Sequence, residues 1–134
     1  MPPKIGTLQI YVAEGRNLPN RDFFGKQDPF LEFTLGNISK RTRVDKKGGC
    51  NPKWKEDVFL DVPQGVQNLA MKCCDRDVSS NDDIGSSSID LFRIFEEEEV
   101  HSWYKMQRKG KFAGEIYLEF TYTPTVSNPL RRHA

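Results

Sequence analysis

The sequence predicts an all-β fold, an antiparallel β-sandwich of about eight strands, and three observations carry that reading. Short runs of alternating apolar and polar residues recur along most of the 134 residues. Clusters of Gly, Pro, Asn and Asp separate them, and a single short stretch, Phe92 to Val100, reads as a helix. Strands at this spacing suit an antiparallel sandwich better than a parallel sheet, which would need crossover helices.

Ile5 to Glu14 alternates, with Leu8, Ile10 and Val12 on one face and Gln9 and Tyr11 on the other. It runs into an acidic loop, Leu18 to Pro29, that contains Asp22 and Asp28. Phe30 to Leu35 is a second strand ending at the Gly36-Asn37 turn, and Ile38 to Val44 a third, with Arg41 and Arg43 on an exposed face and Thr42 and Val44 on the other. Gly48-Gly49 and Asn51-Pro52 mark a loop, and Trp54 to Val62 is a fourth strand, broken by Pro63-Gln64-Gly65. In the fifth strand Leu69, Met71 and Cys73 face the core, and the strand exits into Asp75-Arg76-Asp77, with Asp82-Asp83 beyond.

Ser86 to Leu91 is a sixth strand. The helix follows, with Glu96 to Glu99 on a solvated face, then a brief seventh strand from Ser102 to Met106. Trp54, Trp103 and Tyr104 are expected in the core. After the Lys109-Gly110-Lys111 turn, Glu115 to Thr123 forms the last strand with Ile116, Leu118, Phe120 and Tyr122 inward. Residues 1 to 124 are expected to form the domain, and 125 to 134, with Pro129 and Arg131-Arg132, the start of a disordered linker or tail.

Twenty Lys and Arg against 19 Asp and Glu leave a formal charge of +1, which argues against a chain that coats nucleic acid through bulk positive charge. The odd set Cys50, Cys73 and Cys74 fits reduced thiols in the cytosol, and with two histidines the chain offers no structural zinc spacing. There is no apolar run long enough for a transmembrane helix, and Met1 to Lys4 lacks the hydrophobic region of a signal peptide, so a cytoplasmic protein is expected. No nucleophile, base and orienting acid occur in a recognisable pattern, so no enzyme activity is expected.

The acids carry the functional signal. Carboxylates gathered at two strand exits repel one another unless a cation neutralises them, and hard oxygen donors on loops suit calcium. The acids concerned are Asp22 and Asp28 in the first loop and Asp75, Asp77 and the pair Asp82-Asp83 at the second. Taken singly, each of these acids could instead close an Asx-turn. Phe23 and Phe24, at the tip of the first loop, are candidates for insertion into a bilayer, or for capping the core, and Val78 is a weaker inserter on the other loop. Lys40, Arg41, Arg43, Lys46 and Lys47 form a basic segment that reads as an anionic-lipid contact or as charges guarding an edge strand.

These motifs resemble the C2 domain family. The matching residues are Leu18, Asp22, Gly25, Asp28-Pro29, Asn51-Pro52-Lys53-Trp54, Asp75, Asp77, Asp82 or Asp83, and Ile84-Gly85. The resemblance implies an eight-stranded sandwich that binds Ca2+ between loops at one end and docks on anionic phospholipid membrane. With the motif strand first and Gly114-Glu115-Ile116-Tyr117-Leu118-Glu119-Phe120 last, the order resembles the second (type II), circularly permuted topology. The stretches Trp103 to Gly110 and Phe112 to Pro124 are similar to the amino-terminal C2 domain of fungal ingression-type cytokinesis proteins. That likeness implies a larger cytokinesis or septation scaffold, targeted to the plasma membrane at the division site, with SH3-containing contractile-ring proteins as partners through a tail outside these residues. The alternative is a calcium-independent protein-binding scaffold whose aspartates go unused.

Overall fold

The computed structural model describes residues 3–20, 25–76 and 81–126. Within them the predicted alternation becomes β1 (Lys4–Arg16), β2 (Pro29–Leu35), β3 (Ile38–Arg41), β4 (Lys53–Pro63), β5 (Asn68–Arg76), β6 (Asn81–Asp90), α1 (Phe92–Glu97), β7 (Glu99–Arg108) and β8 (Lys111–Pro124). All the pairings are antiparallel, in the order β3-β2-β5-β6-β7-β8-β1-β4. β6 and β7 meet through one pair, Ser86 with Gln107. That seam divides the strands into two four-stranded faces, β3-β2-β5-β6 and β7-β8-β1-β4, which enclose the core. At the far side Trp54 Nε1 of β4 donates to the Pro29 carbonyl at 3.1 Å and Glu56 accepts the Arg43 N–H at 2.7 Å, so the two end strands nearly close a barrel.

Burial follows the period of two that strands impose. Leu8, Ile10 and Val12 of β1 have no exposed surface, nor do Leu69, Met71 and Cys73 of β5 or Ile116, Leu118 and Phe120 of β8. Phe33 and Trp54 are equally enclosed, and truncating either to alanine would cost about 3 to 5 kcal/mol by loss of contacts and a residual cavity. The last strand lies beside the first, Ile10 opposite Phe120, so the motif strand β1 sits between β4 and β8 as the type II order requires.

Three expectations change. The helix stops at Glu97: Glu98 takes a left-handed φ of 65° and its N–H closes on the Ile94 carbonyl at 2.9 Å. The glutamate run favours helix, but Val100 is buried and pairs with Phe120, so β7 begins at Glu99 and runs ten residues instead of five. Trp103 is not core. It lies half-buried on the outer face of β7, with the Arg16 guanidinium 3.8 Å above its ring and Tyr117 at 5.3 Å. β6 begins at Asn81, so Asp82 and Asp83 lie on a strand instead of in a loop.

At the other boundary, Thr125 donates its N–H to the Ile5 carbonyl at 2.9 Å, one residue past the expected domain limit, and residues 127–134 of the expected tail lie outside the described residues.

Candidate functional site

β2 starts, β5 ends and β6 starts at one end of the sandwich. The register there makes Pro29, Asp75 and Asp82 direct neighbours across three strands. Asp28 precedes Pro29, and its backbone N–H donates to Asp75 Oδ1 at 2.7 Å. Its carbonyl accepts the Arg76 N–H at 3.0 Å, and its own Oδ1 accepts the Lys47 N–H at 2.6 Å. Asp75 and Asp82 thus lie opposite each other on β5 and β6, with Asp28 just before β2 and bonded to Asp75, which is only 5% exposed.

The same register separates the two candidates for the fifth acid. A bulge between Cys73 and Cys74 sets Cys74 opposite Asp83 and Asp75 opposite Asp82. Opposed residues share a face of the sheet, so half-buried Asp82 accompanies Asp75 while exposed Asp83 accompanies Cys74. Asp22, Asp77, Phe23, Phe24 and Val78 lie outside the described residues.

The loop between β3 and β4 frames this end. Asp45 closes its turn, accepting the Lys53 N–H at 2.8 Å on Oδ2 and the Gly48 N–H at 3.0 Å on its carbonyl. Gln27 ties that loop to the acidic one: wholly buried, it donates Nε2 to the Pro19 carbonyl at 2.8 Å and to the Gly49 carbonyl at 3.1 Å. Sequence reasoning passed over Gln27, because bonds to backbone carbonyls such as those of Pro19 and Gly49 leave no pattern of side chains to read.

The basic segment is not uniform. Lys40, Lys46 and Lys47 are exposed, with no ion pair among the described residues. Arg41 pairs loosely with Glu32 at 3.4 Å and lies 5.1 Å from the Phe30 ring centroid. Arg43 directs its guanidinium to the Trp54 carbonyl and serves the closure of the sandwich. Thr42 faces inward as expected, its hydroxyl accepting the Leu31 N–H at 3.0 Å. Lys46, Lys47 and Arg76 line a cleft of about 360 Å³ with Asp28 and Val44, so cations rim the acidic end.

Burial pushes the Cys73 thiol well up, with Cys74, Asp83 and Asp75 adding to the effect, and burial also raises Cys74. Both thiols are thus less acidic than an ordinary cysteine, and Cys73 is enclosed in the core. The donors at this end are therefore carboxylate and carbonyl oxygens, the set that calcium takes and zinc does not favour. Among the described residues no three acidic, histidine or cysteine side chains close into a metal cage, so Asp28, Asp75 and Asp82 would hold an ion only together with donors from 21–24 and 77–80. No helix among the described residues is long and apolar enough to cross a membrane.

Comparison with known proteins agrees with this architecture. Ingression protein fic1 of Schizosaccharomyces pombe is 28% identical over 123 residues, covering 90% of this chain and 45% of the relative. Ingression protein 1 of Saccharomyces cerevisiae is 32% identical over 127 residues, covering 90% of this chain and 31% of the relative. The chain thus spans less than half the length of either. The calcium-bound pair of C2 domains of Extended-Synaptotagmin 2 superposes with a TM-score of 0.79 at 28% identity, over 91% of this chain and 47% of that one. The C2 domain family model matches residues 6–106. With eight antiparallel strands in the permuted order and its acids at one end, the chain belongs to the C2 domain family.

Proposed function

We propose that the chain is a calcium-dependent phospholipid-binding module, a binding domain and not a catalyst, that carries a larger scaffold to the membrane. The observation behind this reading is the gathering of three acids at one end, Asp75 and Asp82 paired across β5 and β6 and Asp28 just before β2, with Asp75 buried and bonded to the Asp28 backbone. Carboxylates brought to one end of the sandwich favour a counter-ion. Bound calcium would supply positive charge and open coordination positions for lipid oxygens. Asp75 holds the Asp28 backbone, Gln27 fixes the two loops against each other, and Lys46, Lys47 and Arg76 present positive charge around the rim. Asp22, Asp77 and Asp82 complete the proposed ligand set, with Asp83 outside it, and Phe23, Phe24 and Val78 are the proposed inserters.

Cosedimentation with phosphatidylserine vesicles tests this. The chain is expected to pellet at much lower lipid concentration with calcium than with chelator. A chain in the supernatant under both conditions overturns the reading.

A second reading, the calcium-independent protein scaffold, draws on one observation. Asp28 Oδ1 and Asp75 Oδ1 already accept backbone N–H groups at 2.6 and 2.7 Å, so these acids also serve the fold itself. Titration calorimetry separates the two, because a scaffold gives no calcium heat with or without vesicles.

We further propose a cellular setting, peripheral attachment to the plasma membrane at a division site with SH3-containing ring scaffolds as partners, which the likeness to proteins named for ingression supports. Expression of the tagged chain in a dividing fungal cell checks this. Uniform cytoplasmic signal in the wild type would count against it.

A further inference from the structure

β7 and β8 are joined by Lys109 and Gly110, with φ values of 52° and 75°, between the paired residues Arg108 and Lys111. Two left-handed residues in a two-residue loop are the geometry of a tight type I′ hairpin, so this tip is short and stiff. β8 runs antiparallel to β1, with Arg16 opposite Glu115, and β7 runs antiparallel to β6. The tip therefore emerges at the end of the sandwich that carries Asp28, Asp75 and Asp82.

Its base is wedged among the elements of that end. A Cβ on Gly114 would stand 2.9 Å from the Arg16 carbonyl and from Leu18 Cδ1, and one on Gly85 would stand 2.8 Å from Ala113 Cβ. The hairpin is thus braced against both the start of the first loop and β6.

The tip itself is all cation and aromatic. Arg108, Lys109 and Lys111 make no ion pair or side-chain hydrogen bond among the described residues, and Arg108 Nε is buried without a partner there. Phe112 follows at 57% exposed, although the next two residues of β8, Ala113 and Gly114, are buried. Phe59 and Phe92 are about as exposed, at 54% and 60%, so the ring alone marks nothing; preceded by three cations without counter-charge among the described residues it matches an anionic bilayer, with headgroups for the lysines and the acyl boundary for the ring.

We propose that the hairpin Arg108 to Phe112 is a separate membrane contact, one that binds anionic phospholipid without calcium. It rests on the proposed function only for the orientation of this end toward the bilayer. The hairpin carries no carboxylate, so its contribution is the same with calcium and with chelator. The domain then has two legs, one switched by calcium and one always available.

The test pairs two measurements on phosphatidylserine vesicles, each made with calcium and with chelator. The triple variant K109A/K111A/F112A, altered only at exposed positions, is expected to lose about 100-fold in vesicle affinity in both conditions, with its ratio between the two unchanged. In F112W, brominated lipid is expected to quench the new tryptophan in both conditions. Wild-type binding without calcium dependence, together with loss in the triple variant, would sink the calcium reading and leave the hairpin standing. Calcium-dependent binding left intact by the triple variant, with an unquenched Trp, would sink the hairpin alone. A wild type that binds under neither condition overturns both.

Discussion

The acidic row and the β7–β8 hairpin share one end of the sandwich and treat charge in opposite ways. Asp75 is buried, hydrogen-bonded to the backbone of Asp28 and set opposite another acid, while Lys109 and Lys111 stand exposed with no counter-charge among the described residues. A buried carboxylate among its like is a constraint on the fold, and an ion can relieve it. An exposed lysine costs the fold almost nothing, and its worth appears only against a partner. The contrast predicts different signatures: neutralising an acid should abolish ion response without lowering stability in chelator, whereas neutralising the hairpin should change vesicle binding alone.

The largest effect is expected at Asp75. D75N keeps an oxygen that can accept the Asp28 N–H but removes the charge. Calcium-dependent vesicle binding should fall at least about 100-fold, because roughly 3 kcal/mol attends loss of a buried charge from a site of this kind. In chelator, calorimetric melting should show a midpoint equal to or above that of the wild type, since a like-charge repulsion has been removed. A clear drop in that midpoint would mean that Asp75 serves chiefly as a structural acceptor, and the comparison would collapse.

Next comes Gln27, which holds the two loops in place with no charge at all. Q27A strands two inward-facing carbonyls and should cost about 2 to 3 kcal/mol in urea unfolding, with the calcium response weakened in step. Stability unchanged within error would show that the loops are held by something else.

Smaller still, and sharper, is the contest between neighbours. D82N should reduce calcium-dependent binding by about tenfold or more, while D83N, on the face with Cys74, should leave it within about twofold. Equal losses would mean that the β5–β6 register near the bulge does not sort the two acids.

How much of this was legible in the sequence depends on whether local pattern or tertiary pairing decides the outcome. Leu8, Ile10 and Val12, and Ile116 to Tyr122, were readable because a period of two is a local property that the sandwich preserves. The acids at strand exits were readable because like charges clustered in sequence have few structural uses. The fifth acid was not: counting residues cannot reveal a bulge at Cys73 and Cys74, and one slipped position exchanges the faces of Asp82 and Asp83. Glu98 and Glu99 misled because propensity favours helix there, while Val100 gains more by pairing with Phe120 inside the core. Trp103 misled because its size suggests burial, yet Arg16 and Tyr117 cover it from outside. Lys109-Gly110-Lys111 signals a turn and no more in the sequence, since only the fold places Lys109 and Phe112 beside the acidic end.

The smallest expected effect probes the field of the acidic row through the thiols beneath it. Burial, with Cys74, Asp83 and Asp75 adding to it, holds the Cys73 thiol well above its ordinary value of 9.0. A thiol raised in this way contributes stability that is fully present while the unfolded-state thiol is also protonated, and that is lost as pH climbs through 9.0, where only the unfolded chain ionises. Melting midpoints should therefore hold steady through neutral pH and decline on the alkaline side, less steeply in a C73A variant compared with its own neutral value. At neutral pH a thiol reagent should modify half-buried Cys50 first, then Cys74, with Cys73 reacting only on unfolding. D83N should quicken Cys74 modestly, by lifting one of the nearby negative charges that oppose its thiolate, while the hairpin variant should leave all three thiols unchanged. If charge removal at the hairpin altered thiol reactivity as much as D83N does, the two charge systems would be one coupled field rather than separate legs.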